Sequence, residues 1–233
     1  MPVLATIRNI WKPSRLAVCG LVLCCASCMS NPFASKPSAT PADIARFGPT
    51  ANQRILDLKA IREAGPGTDP AVHETKATEL ARKIQAERDP LVRAQIIRTI
   101  EIYPTRLTSA VLHAATNDPE PAVRIACADA WGKRNTDEAV EHLSELFKKD
   151  ESIDVRIAAT KALGATKNQG AIEKLAPALE DKDPALQLVA VESLKSLTGA
   201  DLGYDVNKWR EYLKTPPSER QQQGLADKFR QLF

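Results

Sequence analysis

Along most of the chain apolar positions recur at three- and four-residue intervals, in short blocks separated by polar, often proline-bearing turns. That spacing puts the apolar side chains of a block on one face of a helix. Four of the turns align with one another: Glu87-Arg-Asp-Pro-Leu-Val-Arg93, Asp118-Pro-Glu-Pro-Ala-Val-Arg124, Asp150-Glu-Ser-Ile-Asp-Val-Arg156 and Asp181-Lys-Asp-Pro-Ala-Leu-Gln187, which begin 31, 32 and 31 residues apart. An apolar helix follows each, at residues 94–102, 125–131, 157–163 and 188–197, and another precedes, as at 139–147 and 171–179. The repeating unit is therefore helix, turn, helix. A helix pair of this kind cannot bury its own apolar face and must stack on a neighbour.

The repeated residues have mechanical reasons to be where they are. Pro90, Pro121 and Pro184 share a column in which a fixed φ and a missing N–H suit the first turn of the second helix. Asp89, Ser152 and Asp183 stand just before that column and can cap exposed N–H groups; Glu120 is a poorer cap. Val92, Val123, Val155 and Leu186 then point inward, with Ile100, Trp131, Leu163 and Leu194 eight residues later on the same face.

These columns resemble HEAT repeats, specifically the short bacterial and phycobilisome-lyase-type variety, with its Asp-x-x-Pro-x-Val-Arg turn, alanine-rich helix and frequent Leu-Gly ending, as at Ala162-Leu-Gly164. The resemblance covers about residues 70–200. It implies an all-α, α-α superhelix of about four to five helical hairpins, a HEAT-like solenoid following a disordered N-terminus. It also implies that the acid and the arginine six residues apart build hydrogen-bonded ladders between neighbouring repeats. Such roles fall to Asp118 with Arg124 and Asp150 with Arg156, and Arg93 holds the same position. Glu87 in place of Asp, and Gln187 in place of Arg, imply a ladder that weakens at both ends.

Upstream, residues 52–62 have helical spacing and begin an N-terminal cap. Downstream, Gly199 ends a helix, Gly203 permits a turn, Asp205 can cap the next helix and Trp209 can cover the last repeat. Asp201 and Asp205 are too few oxygen donors for a cation loop. In residues 218–233, Leu225, Phe229, Leu232 and Phe233 lie on one helical face, suited to docking on the repeats or to holding a partner or a membrane surface.

The first residues read as an address rather than as fold. Arg8, Lys12 and Arg15 precede twelve mostly apolar residues, 16–27, in the layout of a signal peptide, and the run is shorter than the roughly 20 residues of a membrane-spanning helix. Ala26 and Ser27 before Cys28 resemble a bacterial lipobox, which implies a lipid on Cys28; Cys25 stands where that motif usually has Leu, and ordinary secretion or a retained signal helix are the alternatives. The organisation expected is thus a signal peptide at 1–27, a lipid-bearing Cys28 with a Pro/Ser/Ala-rich linker to residue 50, a HEAT-like domain at 51–213 and an amphipathic tail at 214–233.

Charge and cysteine usage narrow the function. The net +3 comes from the first 27 residues, and what remains has 29 basic against 29 acidic residues, which argues against a nucleic-acid partner. Four of five cysteines lie in the first 28 residues, leaving Cys127 in an alanine-rich helix as a buried, inert thiol. His73, His113 and His142 sit in different units without matching columns or metal-ligand spacing, and no phosphate-cradling loop or nucleophile elbow is present. No catalytic residue, metal, cofactor or small-molecule substrate is expected. Arg98, Asp129, Lys161 and Glu192 occupy one column of the second helices, the side that is concave in this family, and their alternating signs suit a self-satisfied face. The function expected is a non-catalytic scaffold that binds another protein through the concave face and is lipid-tethered at a bacterial cell envelope. The rivals are a structural spacer without a dedicated partner and a bilin-handling protein.

Overall fold

The computed structural model describes residues 40–216 and 218–220. The expected signal peptide, Cys28 and the expected apolar face of the tail lie outside the described residues. Among the described residues there are twelve helices and no strand: α1 (Pro41–Phe47), α2 (Ala51–Glu63), α3 (Pro70–Ala86), α4 (Pro90–Ile100), α5 (Arg106–Ala115), α6 (Pro121–Trp131), α7 (Asp137–Lys149), α8 (Ile153–Ala165), α9 (Ala171–Lys174), α10 (Ala176–Leu179), α11 (Pro184–Thr198) and α12 (Val206–Lys214).

Four hairpins stack in chain order: α3–α4, α5–α6, α7–α8 and the α9/α10 pair with α11. The second helices α4, α6, α8 and α11 pack flank to flank, with α2 extending their row beside α4. The first helices meet one another less extensively. The more tightly packed row of second helices is the one expected on the concave side, and is called the inner row below.

Proline and acid fix the helix starts. Pro90, Pro121 and Pro184 each occupy the first turn of a second helix. The Asp89 carboxylate accepts from the backbone N–H groups of Leu91 and Val92, and that of Asp183 from Ala185. Ser152 and Glu120 make no side-chain cap bond. The N–H of Ser152 goes to Asp150 Oδ1 instead, at 2.9 Å.

Two elements differ from the sequence reading. Residues 41–47, read as part of a linker, form α1, because Thr40 and Asp43 close a capping box around Pro41. A proline that breaks a helix interior starts a helix at its first position. Residues 171–179, read as one helix, divide into α9 and α10 at Leu175. Pro177 lacks the N–H that would reach Glu173 four residues back, so the ladder cannot run through.

The inward columns are all buried: Val92, Val123, Val155 and Leu186 at the start of the second helices, and Ile100, Trp131, Leu163 and Leu194 eight residues on. Trp209 of α12 covers the last hairpin, fully buried, with its indole N–H donating to the carbonyl of Gly203 at 3.0 Å. Such a cover keeps the apolar flank of a terminal repeat out of water.

Small residues let the second helices approach. A Cβ placed on Gly164 would lie 2.6 Å from Ser193 Cβ and 2.7 Å from its Cα, and one on Gly132 would lie 2.9 Å from Ala162 Cβ. A helical Gly→Ala change ordinarily gains about 0.5–1 kcal/mol. Forcing α8 from α11 costs about 1–3 kcal/mol, so the clash decides the sign. Gly164→Ala is expected to lower the thermal midpoint; a variant that melts higher than the parent would mean that these helices are not in contact here.

Candidate functional site

Each of the four aligned acids holds its own turn together. Glu87 accepts the N–H of Asp89, Asp118 that of Glu120, Asp150 that of Ser152 and Asp181 that of Asp183, all at 2.9–3.0 Å. The same carboxylate also accepts from an arginine of the preceding unit. Arg93 Nε and Nη2 donate to Asp118 at 2.9 and 2.8 Å, Arg124 donates likewise to Asp150 at 2.7 and 2.8 Å, and Arg156 is bonded to Asp181. Arg124 also reaches back to the carbonyl of Asp118 at 2.8 Å, so it clamps its own turn and the next. The carboxylate partner therefore lies 25 or 26 residues ahead, not six residues behind.

At its N-terminal end the ladder continues with a more exposed rung. Arg54 of α2 makes two bonds of 3.0 Å to Glu87, a fourth ion-paired rung whose arginine has no repeat motif around it. At the other end Gln187 keeps the turn bond, donating to the Asp181 carbonyl at 2.7 Å.

These pairings set an acid limit on stability. Burial pushes the Asp118 carboxyl up, but Arg93 and the Glu120 N–H more than reverse this and leave it below its ordinary value of 3.8. Asp181 is lowered mainly by the Asp183 N–H, with Arg156 adding to it. A carboxylate lowered by folding contributes stability that is present above its ordinary value and lost as pH falls through the lowered one. Burial lowers the pKa of His142, and the neighbouring His113 adds to the effect. That group loses stability as pH falls below its ordinary value of 6.5. Thermal midpoints are expected to decline slightly below about pH 6.5 and steeply below about pH 4. His142→Gln removes the upper limb alone; a midpoint unchanged down to pH 3 would contradict the ladder.

His113 and His142, unmatched in sequence, are neighbours in space. Their ring centroids lie 4.9 Å apart, and His142 lies 4.7 Å from the Trp131 ring. Helices α5 and α7 bring them together, which no single-helix spacing reveals. Among the described residues no group of three or more His, Cys, Asp or Glu side chains is placed to hold a metal ion. Cys127 is fully buried, donates to the carbonyl of Leu112 at 3.0 Å, and has its thiol pKa pushed well up by burial. Asp201 is paired with Lys195 at 3.0 Å.

The inner row presents a line of charges. Arg98, Asp129, Lys161 and Glu192 stand at matching places on α4, α6, α8 and α11, and Arg98 is half-buried while the others are exposed. Lys59 extends the line onto α2: Arg54 stands to Glu87 as Arg93 stands to Asp118, the two arginines are 39 residues apart, and Lys59 and Arg98, equally 39 apart, line one cavity. Among the described residues none of the five side chains takes part in a hydrogen bond or an ion pair, although Glu192 is near enough to Lys195 to help raise its pKa. The stripe expected to satisfy itself is thus unpaired. At its basic end Lys59, Arg62, Glu63, Gln95 and Arg98 line a shallow cavity of about 700 Å³.

No curated protein matches the chain. The model of the HEAT repeats matches residues 77–160 and again 142–224, running from within α3 through α12 and leaving out α2 with Arg54 and Lys59. Repeats of this kind are generally non-catalytic and commonly mediate protein–protein interaction. With stacked hairpins, a buried valine and leucine column and arginine rungs tying each unit to the next, the chain belongs to the HEAT-repeat family.

Proposed function

We propose that the chain is a non-catalytic scaffold that binds another protein through the inner row of second helices, and that a lipid on Cys28 tethers it at a bacterial cell envelope, facing the periplasm or the outside. The unpaired charges along the inner row are the observation that carries the binding half. A charge exposed without a partner contributes little to folding, whereas a line of them gives a partner its orientation and register. The tether rests on the basic start, the apolar residues 16–27 and the small residues before Cys28. Among the described residues no helix is long and apolar enough to cross a membrane; in this reading the lipid supplies the attachment. One acyl chain gives marginal binding and two give a stable anchor.

Both halves can be tested in one preparation. Membranes solubilised in detergent should yield a protein captured by the full chain and lost with the Asp129→Lys, Lys161→Glu pair. Recovery of the same proteins by both would favour a spacer without a dedicated partner. Cys28→Ala is expected to move the protein from the membrane fraction to the soluble one; continued sedimentation with membranes would favour a retained signal helix.

A further inference from the structure

The inner row carries more than charge. One turn before the charged column on the same helices stand Ile125, Ile157 and Leu188, which are partly exposed and form an aliphatic row beside the stripe. Four residues of helix separate the two rows, about 6 Å along each axis. A ligand that meets both needs an apolar edge and a charged edge side by side.

The spacing selects the ligand's conformation. Neighbouring packed helices lie about 8–10 Å apart, so successive charges of the stripe recur at that interval. An α-helix returns to the same face every seven residues, a rise of about 10.5 Å. A β-strand repeats its face about every 6.6 Å and falls out of step. A polyproline helix, at about 9.3 Å per turn, would keep step, but grooves that read it are lined with aromatic rings. Here the row beside the charges is aliphatic.

The signs select its sequence. From α2 to α11 the stripe runs Lys59, Arg98, Asp129, Lys161, Glu192. Lys59 and Arg98 both line the shallow cavity, with Glu63 the one acid beside them, and Arg62 is already engaged by Glu101 at 3.2 Å. One acidic side chain placed there would meet two cations at once.

Building on the scaffold reading, we infer that the partner presents an amphipathic helix laid across α2, α4, α6, α8 and α11, with acid, base, acid and base at successive seven-residue intervals and an apolar row along its neighbouring edge. The first acid enters the cavity between Lys59 and Arg98. The next three residues meet Asp129, Lys161 and Glu192, and the apolar row covers Ile125, Ile157 and Leu188. Chain polarity is fixed by the signs together with the apolar edge: reversing the helix sets base against base at the Lys59–Arg98 end, and a helix of opposite sign order laid in reverse carries its apolar row to the far side of the stripe, away from Ile125, Ile157 and Leu188.

The test uses two designed helical peptides of about 25 residues, with Leu on the apolar edge and either Glu-Lys-Glu-Lys or Lys-Glu-Lys-Glu at seven-residue intervals. Binding to the full chain is read by fluorescence anisotropy at low salt. The first peptide is expected to bind at least about tenfold more tightly than the second, since each reversed pair replaces an attraction by a repulsion. The variant Lys59→Glu, Arg98→Glu, Asp129→Lys, Lys161→Glu, Glu192→Lys should invert that order while keeping the parent's circular dichroism melt. Equal binding of both peptides to both proteins overturns the proposal, as does tighter binding of a proline-rich peptide with the same charges every third residue. If a membrane protein is captured through the stripe while neither helix binds, the scaffold reading stands and the helical partner falls.

Discussion

Replacing Trp131 with alanine lowers the thermal midpoint of the chain by about 6–20 °C. The side chain is fully buried at the end of α6, with His142 against one part of its ring and the Arg134 guanidinium 5.2 Å from its centroid. Truncating a buried tryptophan costs about 3–5 kcal/mol, because the transfer free energy is lost and a cavity remains. In a domain of this size each kcal/mol is worth about 2–4 °C. The indole N–H is buried with no oxygen acceptor, its one polar neighbour being the weakly accepting sulfur of Cys127. Trp131→Phe therefore removes a poorly met donor together with part of the volume, and is expected to fall between the parent and the alanine variant. A midpoint for Trp131→Ala within 2 °C of the parent would mean that this column does not face the core.

The second large effect is at Asp150. Its carboxylate is 4% exposed and the facing Arg124 side chain is 8% exposed, the most enclosed of the ladder's ion pairs. Removing one partner of a buried pair leaves a charge uncompensated, at a cost of about 3–5 kcal/mol. An exposed pair is worth about 0–1 kcal/mol, and Arg54 opposite Glu87 is 35% exposed. Asp150→Ala is accordingly expected to lower the urea midpoint several times more than Glu87→Ala. Asp150→Asn keeps an acceptor for the Ser152 N–H and isolates the loss of charge. The double change Arg124→Met, Asp150→Leu should recover most of the stability, since apolar residues often replace a buried pair at little cost. Equal losses for Asp150→Ala and Glu87→Ala would refute the ranking by burial.

The hairpins, their starts and the inward columns were legible because each rests on local chemistry that recurs. Proline at a helix start, a capping carboxylate and an apolar residue every third or fourth place all leave marks within one turn of chain. Pro41 and Pro177 are not legible for the same reason: whether a proline starts a helix or interrupts one depends on the residues around it, Thr40 and Asp43 in the first case. The ladder's acids and arginines could be picked out, but their partners could not. A motif aligns an acid with the arginine of its own unit, while stacking sets that acid against the arginine of the previous one. Arg54 carries none of the motif and was invisible for that reason. The stripe's alternating signs suggested mutual pairing; whether charges on adjacent helices touch depends on backbone separation, which the letters do not record. His113 and His142 meet only through the packing of α5 and α7.

The direction of the arginine rungs also orders events in time. Every arginine waits for a carboxylate that is made later, 33 residues on for Arg54 and 25 or 26 for Arg93, Arg124 and Arg156. A chain emerging N-terminus first at about 5–20 residues per second leaves each guanidinium unmatched for about 1–7 seconds, until the following turn arrives. The protein can thus assemble vectorially, one hairpin latching the one before it, with no rung requiring a distant part of the chain.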